Sequence, residues 1–146
     1  MNLRLFPAAL LIFIAPVTGL PAEPAAAAAP ATQVQKLRTV PHPERPGAEI
    51  VVVQLDLPPG AESAAHGHPG LVIGCVVSGE FEFQIQGEPL RRLRAGDTFY
   101  EPPGAVHLVS RNPSRTQPAR VVVFMEHPAG SPLVNPPAKA VHGHTP

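Results

Sequence analysis

An all-β fold, an antiparallel sandwich or a closed barrel, is what this sequence predicts, and three observations carry the reading. Between residues 32 and 128 the apolar side chains come in short runs of β-branched and aromatic residues separated by glycine and proline. No window of helical length repeats its apolar residues with a 3.6-residue period. Twenty-one prolines among 146 residues remove too many amide donors for a helical protein and suit turns, strand edges and irregular ends. A chain of this length has room for one domain and not for a second.

The first segment stands apart from that domain. Arg4 supplies a positive start, Leu5 to Leu20 is apolar apart from Thr18, and Gly19, Pro21 and Ala22 give small or turn-forming residues at its end. That is the pattern of a secretory signal peptide over residues 1–22, and it implies an exported bacterial protein, periplasmic or secreted. The alternative, a membrane anchor, is opposed by an apolar stretch short of the ~20 residues a span needs and by the breaks at Pro7 and Pro16. Cleavage would leave no stable membrane anchor. Residues 23–31, almost wholly alanine and proline, read as a flexible linker. Residues 32–128 form the expected domain, and 129–146 a proline-rich, loosely held tail.

Within the domain, Gln33 to Val40 is expected as an edge strand. Glu49 to Leu57, Leu71 to Ser78, Phe81 to Gln86, Asp97 to Glu101, Val106 to Arg111 and Ala119 to Glu126 follow as strands. Phe81, Phe83 and Ile85 alternate with Glu82, Gln84 and Gln86, so that strand buries one face and wets the other. Leu71 to Val77 and Val121 to Met125 are apolar or small on both parities. Their outer side is expected to meet a second subunit in a homodimer, with the N-terminal segment or the tail as the alternative cover.

Eleven basic and eleven acidic residues cancel, which leaves no electrostatic footprint for nucleic acid or an anionic membrane surface. The partner is expected to be a small molecule or another protein. Cys75 is the sole cysteine, so no internal disulfide exists and the fold must rest on its core. In its apolar run Cys75 reads as a small buried hydrophobe.

Chemistry enters with the histidines. His66 and His68 are one residue apart, a spacing that puts both imidazoles on one face of an extended segment. His107 follows the turn Pro102-Pro103-Gly104-Ala105 and opens another strand, so a third imidazole can arrive from across the barrel. Three such groups suit one divalent ion, Fe, Mn, Zn, Ni or Cu, and leave coordination positions open. Structural zinc sites usually close with four ligands.

The glycines framing these histidines make the chain resemble the cupin superfamily. Gly60, His66, His68 and Gly79 fall at the spacings of that family's first motif. Gly96, Pro102, Gly104 and His107 match its second, with Arg111 at the last position and Asn112 one residue late for the family's asparagine. The resemblance implies a jelly-roll β-barrel, a metal held by histidines, and dioxygenase-like oxidation of a small organic molecule; isomerisation is an alternative with a redox-inert ion. A non-catalytic module that binds or senses a metal or metabolite is the competing reading.

One departure matters. The family's metal-binding glutamate falls at Val72, or at Ile73 with the alternative spacing, and neither can bind an ion. Glu101, at the end of the strand before the Pro-Pro-Gly turn, is the candidate for the missing oxygen ligand; the alternatives are a solvated strand end or an acceptor that orients a ligand histidine. Glu62 shares parity with His66 and His68 but follows the Gly60 loop, which leaves its direction unreadable. Tyr100 is expected to face away from Glu101 and pack, Asp97 to cap a turn, and Arg111 to lie on the surface or else anchor an anion. His142 and His144 are expected to bind metal only adventitiously, and His42 and His127 lack any partner pattern.

Overall fold

The computed structural model describes residues 30–137. The expected signal peptide, most of the linker, and the end of the tail with His142 and His144 lie outside the described residues. Every regular element within them is a β-strand: β1 (Gln33–Pro41), β2 (Ala48–Leu57), β3 (Glu62–Ser63), β4 (His66–Gly67), β5 (Leu71–Ser78), β6 (Glu80–Ile85), β7 (Arg91–Arg94), β8 (Thr98–Glu101), β9 (Val106–Arg111) and β10 (Ala119–Pro128). They form two antiparallel sheets. One has the order β1-β2-β10-β5-β8; in the other β9 lies between β3 and β6, β7 follows β6, and β4 also pairs with β9.

The core fills the space between the sheets. Val51, Val53 and Leu57 of β2, Val72 and Val76 of β5, and Val121, Val123 and Met125 of β10 face Phe81, Phe83 and Ile85 of β6. Each set recurs at every second residue, as the pleat requires. Phe99 closes the aromatic cluster, its ring 4.5 Å from that of Phe83 and 5.6 Å from that of Phe81. It lies against Gly74 on the neighbouring strand, where any β-carbon would collide with the ring.

All seven expected strands are present, β1 at a sheet edge as read. Three were missed. β3 and β4 are two residues each, too short for any period, and β7 reads Arg-Arg-Leu-Arg with Leu93 alone buried. The doubled apolar parity of β5 and β10 resolves into an inner and an outer set. The outer set, Ile73, Val77 and Phe124 with Tyr100 of β8, remains about half exposed.

Two identical turns frame the barrel. In Pro58-Pro59-Gly60-Ala61 and Pro102-Pro103-Gly104-Ala105 the fourth amide donates to the first carbonyl at 3.0 Å, and the glycine takes φ of +74° and +81° respectively. Proline followed by a positive-φ glycine is the requirement of a type II turn. The end of the first turn is held by Asn112, which is buried. Its side-chain amide donates to the carbonyls of Leu57, Pro58 and Gln117, and its Oδ1 accepts from the Ser114 amide.

Asn112→Ala would strand these groups in a dry site, and leaving buried polar groups unpaired costs ~1–3 kcal/mol. The variant is expected to lose about 2 kcal/mol by urea denaturation with an unchanged m-value; a loss below about 0.5 kcal/mol would show that water replaces the side chain without penalty.

Candidate metal centre

The inward aim of His107 comes from an irregularity in β9. Ser110 faces the interior, and on a regular strand that would turn His107 outward. Gln84 pairs with Val109 while Ile85 pairs with His107, so Leu108 is an extra residue in a β-bulge. The bulge reverses the parity, burying His107 as well as Ser110 and leaving Leu108 exposed. The one-residue delay of Asn112 falls in this same stretch.

His66 lies directly opposite His107 in the β4–β9 pair, and His68 follows two residues on. The ring centroids of His66 and His68 are 4.9 Å apart, those of His66 and His107 5.1 Å, and one ligating nitrogen from each of the three falls within 4.8 Å of the others. Phe83, 4.8 Å from His107 between centroids, backs that ring against the core.

Backbone carbonyls set the tautomers. His66 Nδ1 lies 2.8 Å from Ala64 O, His68 Nδ1 2.7 Å from Leu133 O, and His107 Nε2 2.8 Å from Val109 O. A carbonyl can only accept, so each of these nitrogens carries the proton. In a neutral imidazole the other nitrogen then presents a lone pair. Burial lowers the pKa of His66, with the neighbouring His107 and His68 acting in the same direction against its Ala64 hydrogen bond and the charge of Glu101. It is thereby favoured in the neutral form a metal requires.

Glu101 joins this group from the other sheet. It is 2% exposed, with Oε1 3.3 Å from His107 Nδ1 and Oε2 3.7 Å from His68 Nε2. Oε2 is buried without a hydrogen-bond partner. Three fixed lone-pair donors and an orphaned buried carboxylate oxygen are a donor set that suits a divalent cation.

These groups form one wall of a cavity of about 630 Å³. The remaining lining is largely apolar, with Val53, Leu55, Phe99, Val123 and Met125 from the facing sheet and Leu133, Val134 and Pro136 at the mouth. No lysine or arginine lines it among the described residues. The last group belongs to the segment expected to hang loose. Leu133 anchors His68, and Asn135 exchanges two backbone hydrogen bonds with Gly67, 2.8 and 2.9 Å long. Proline richness in 129–137 reflects a docked, non-repeating segment, and no apolar period advertises it.

The remaining candidates separate cleanly. Glu62 is exposed at the cavity rim, and Arg111 pairs outward with Glu82 at 2.6 Å. Tyr100 is exposed, opposite in direction to Glu101, and Asp97 accepts from the Arg94 amide at 2.8 Å to close its turn. His42 Nδ1 accepts from the amides of Glu44 and Arg45. His127 is buried with Nδ1 near its neighbour's carbonyl.

Comparison with known proteins agrees with this architecture. A family model described as Cupin domain matches residues 41–125. Among solved structures, a recombinant oxalate oxidase in complex with glycolate is 28% identical, with 72% of this chain and 54% of that one covered and a TM-score of 0.56. A Cupin 2 conserved barrel domain protein from Salinispora arenicola is 27% identical over 67% of this chain and 76% of its own, TM-score 0.51. The DMSP lyase DddQ from Ruegeria pomeroyi is 28% identical over 57% of this chain and 41% of its own, TM-score 0.51. The chain thus spans less than two thirds of the oxidase and of the lyase. No curated protein sequence matches it. The family match, the two-sheet barrel and the histidine cluster together make this chain a member of the cupin superfamily.

Proposed function

We propose that the protein is an exported, metal-dependent cupin that binds one divalent ion through His66, His68 and His107 and oxidises a small organic molecule in a dioxygenase-like reaction. The observation that carries this reading is the set of three imidazoles, each fixed by a backbone carbonyl, at the wall of a cavity large enough for an organic substrate. A divalent ion bound there would supply Lewis-acid polarisation and, as a redox-active metal, electron exchange with dioxygen.

The chain's own residues define what the cavity accepts. With no lysine or arginine among the described residues of the lining, an anionic head finds no cationic side chain there to pair with, so its oxygen donors address the metal position. The apolar wall of Val53, Leu55, Val123 and Met125 favours an apolar body behind that head. An enol or phenol with two oxygen donors has this form. The oxalate oxidase solved in complex with glycolate, a small molecule with two oxygen donors, supports this form of ligand. Leu133 and Val134 add to the apolar lining.

Untagged protein is expected to take up close to one equivalent of divalent metal by elemental analysis. His66→Ala and His107→Ala should lower occupancy at least tenfold, and a parent that cannot be loaded overturns the reading. Deletion of Leu108 gives β9 a regular alternation with His107 still opposite the inward-facing Ile85, and metal uptake is expected to persist while circular dichroism remains β-rich. Iron-loaded protein should consume dioxygen with at least one member of a panel of phenols and diketones. Full occupancy with silence across the panel would instead support a binding or sensing module. For export, N-terminal sequencing of periplasmic protein should begin within residues 20–31, and recovery of the chain from Met1 in the cytoplasm alone would remove that part of the proposal.

A further inference from the structure

Glu101 raises a question the three histidines do not answer. Its carboxylate is in the dry interior, and the ring nitrogens nearest to it are His107 Nδ1 at 3.3 Å and His68 Nε2 at 3.7 Å. These are the nitrogens left as lone pairs by the hydrogen bonds to Val109 and Leu133. A carboxylate facing two lone pairs is an assembly of negative ends, and Oε2 has no hydrogen-bond donor at all. Desolvating such a group is costly unless a positive charge stands between the partners.

Resting on the metal-binding reading above, we infer that Glu101 is itself a ligand, so that the ion joins the two sheets of the barrel. Histidines 66 and 107 belong to the β4–β9 pair and His68 follows it, whereas Glu101 ends β8 in the opposite sheet. The ion therefore acts as a cross-sheet tie as well as a reaction centre. Val72 is the direct cross-strand partner of Glu101 and lines the same cavity. Side chains so paired have β-carbons about 5 Å apart, which places position 72 within reach of the same ion. The carboxylate is thus supplied from β8 in place of β5.

The competing account is a proton in place of the ion: His107 as an imidazolium paired with Glu101. The two accounts diverge in sign. If Glu101 is a ligand, E101Q weakens metal binding; if it pairs with a proton on His107, E101Q frees that nitrogen and binding is equal or tighter. The test uses the full chain with cobalt(II), measured by competition with a chelator, by visible absorption and by thermal unfolding with and without the ion.

Glu101→Gln is expected to bind cobalt 10- to 100-fold more weakly, with an altered absorption spectrum and a smaller cobalt-induced rise in Tm. The exchanged double variant V72E/E101V, with the carboxylate supplied from β5, should recover at least a third of the parental affinity. E101Q binding as tightly as the parent, with the parental spectrum, overturns Glu101 as a ligand and leaves the three-histidine site standing. A parent that takes up no cobalt overturns both. Metal-free circular dichroism of each variant separates lost ligation from lost folding.

Discussion

The demand that buried polar groups find partners governs this molecule. Three imidazoles and a carboxylate line a cavity whose other walls are largely apolar, where an unpaired polar group is expensive. Backbone carbonyls of Ala64, Val109 and Leu133 satisfy one nitrogen of each ring and so fix where the other points. The bulge at Leu108, the two Pro-Pro-Gly turns and the docked segment after β10 are the means by which those carbonyls and rings reach their places.

The division of labour between the sheets follows from the same constraint. One sheet supplies an apolar wall from β2 and β10; the other brings the nitrogen donors on β4 and β9. Glu101 is the exception, the one charged residue among those of that sheet that line the cavity within the described residues. An ion between the walls would neutralise it and draw the sheets together, so stability and chemistry would draw on the same contacts. The fold alone assigns neither, because barrels of this kind host many activities.

Much of this was legible in the residues. Strands β2, β5, β6, β9 and β10 are dense in β-formers and end at glycine or proline, so their positions could be read to within two residues. The histidine trio was visible because His-x-His on an extended segment and a Pro-x-Gly turn before His107 are local patterns. Other features depend on contacts distant in sequence. The bulge leaves no signature, since Leu108 looks like any strand residue until its partner's register is known. Leu133 reaches His68 from sixty-five residues away, and nothing in a proline-rich segment marks a particular carbonyl as an acceptor. Val72 and Glu101 become neighbours only once β5 pairs with β8.

The docked segment bears on where this barrel begins and ends as a transferable part. The family match closes at Met125, yet the carbonyl that orients His68 belongs to Leu133 and the strand that flanks Gly67 is completed by Asn135. A fusion or graft cut at the boundary of the family match would carry all three imidazoles and yet release one of them to spin. The ring would then present either nitrogen to the cavity, and part of the binding free energy would go into choosing between them. In this chain the smallest portable module is longer than its most recognisable core.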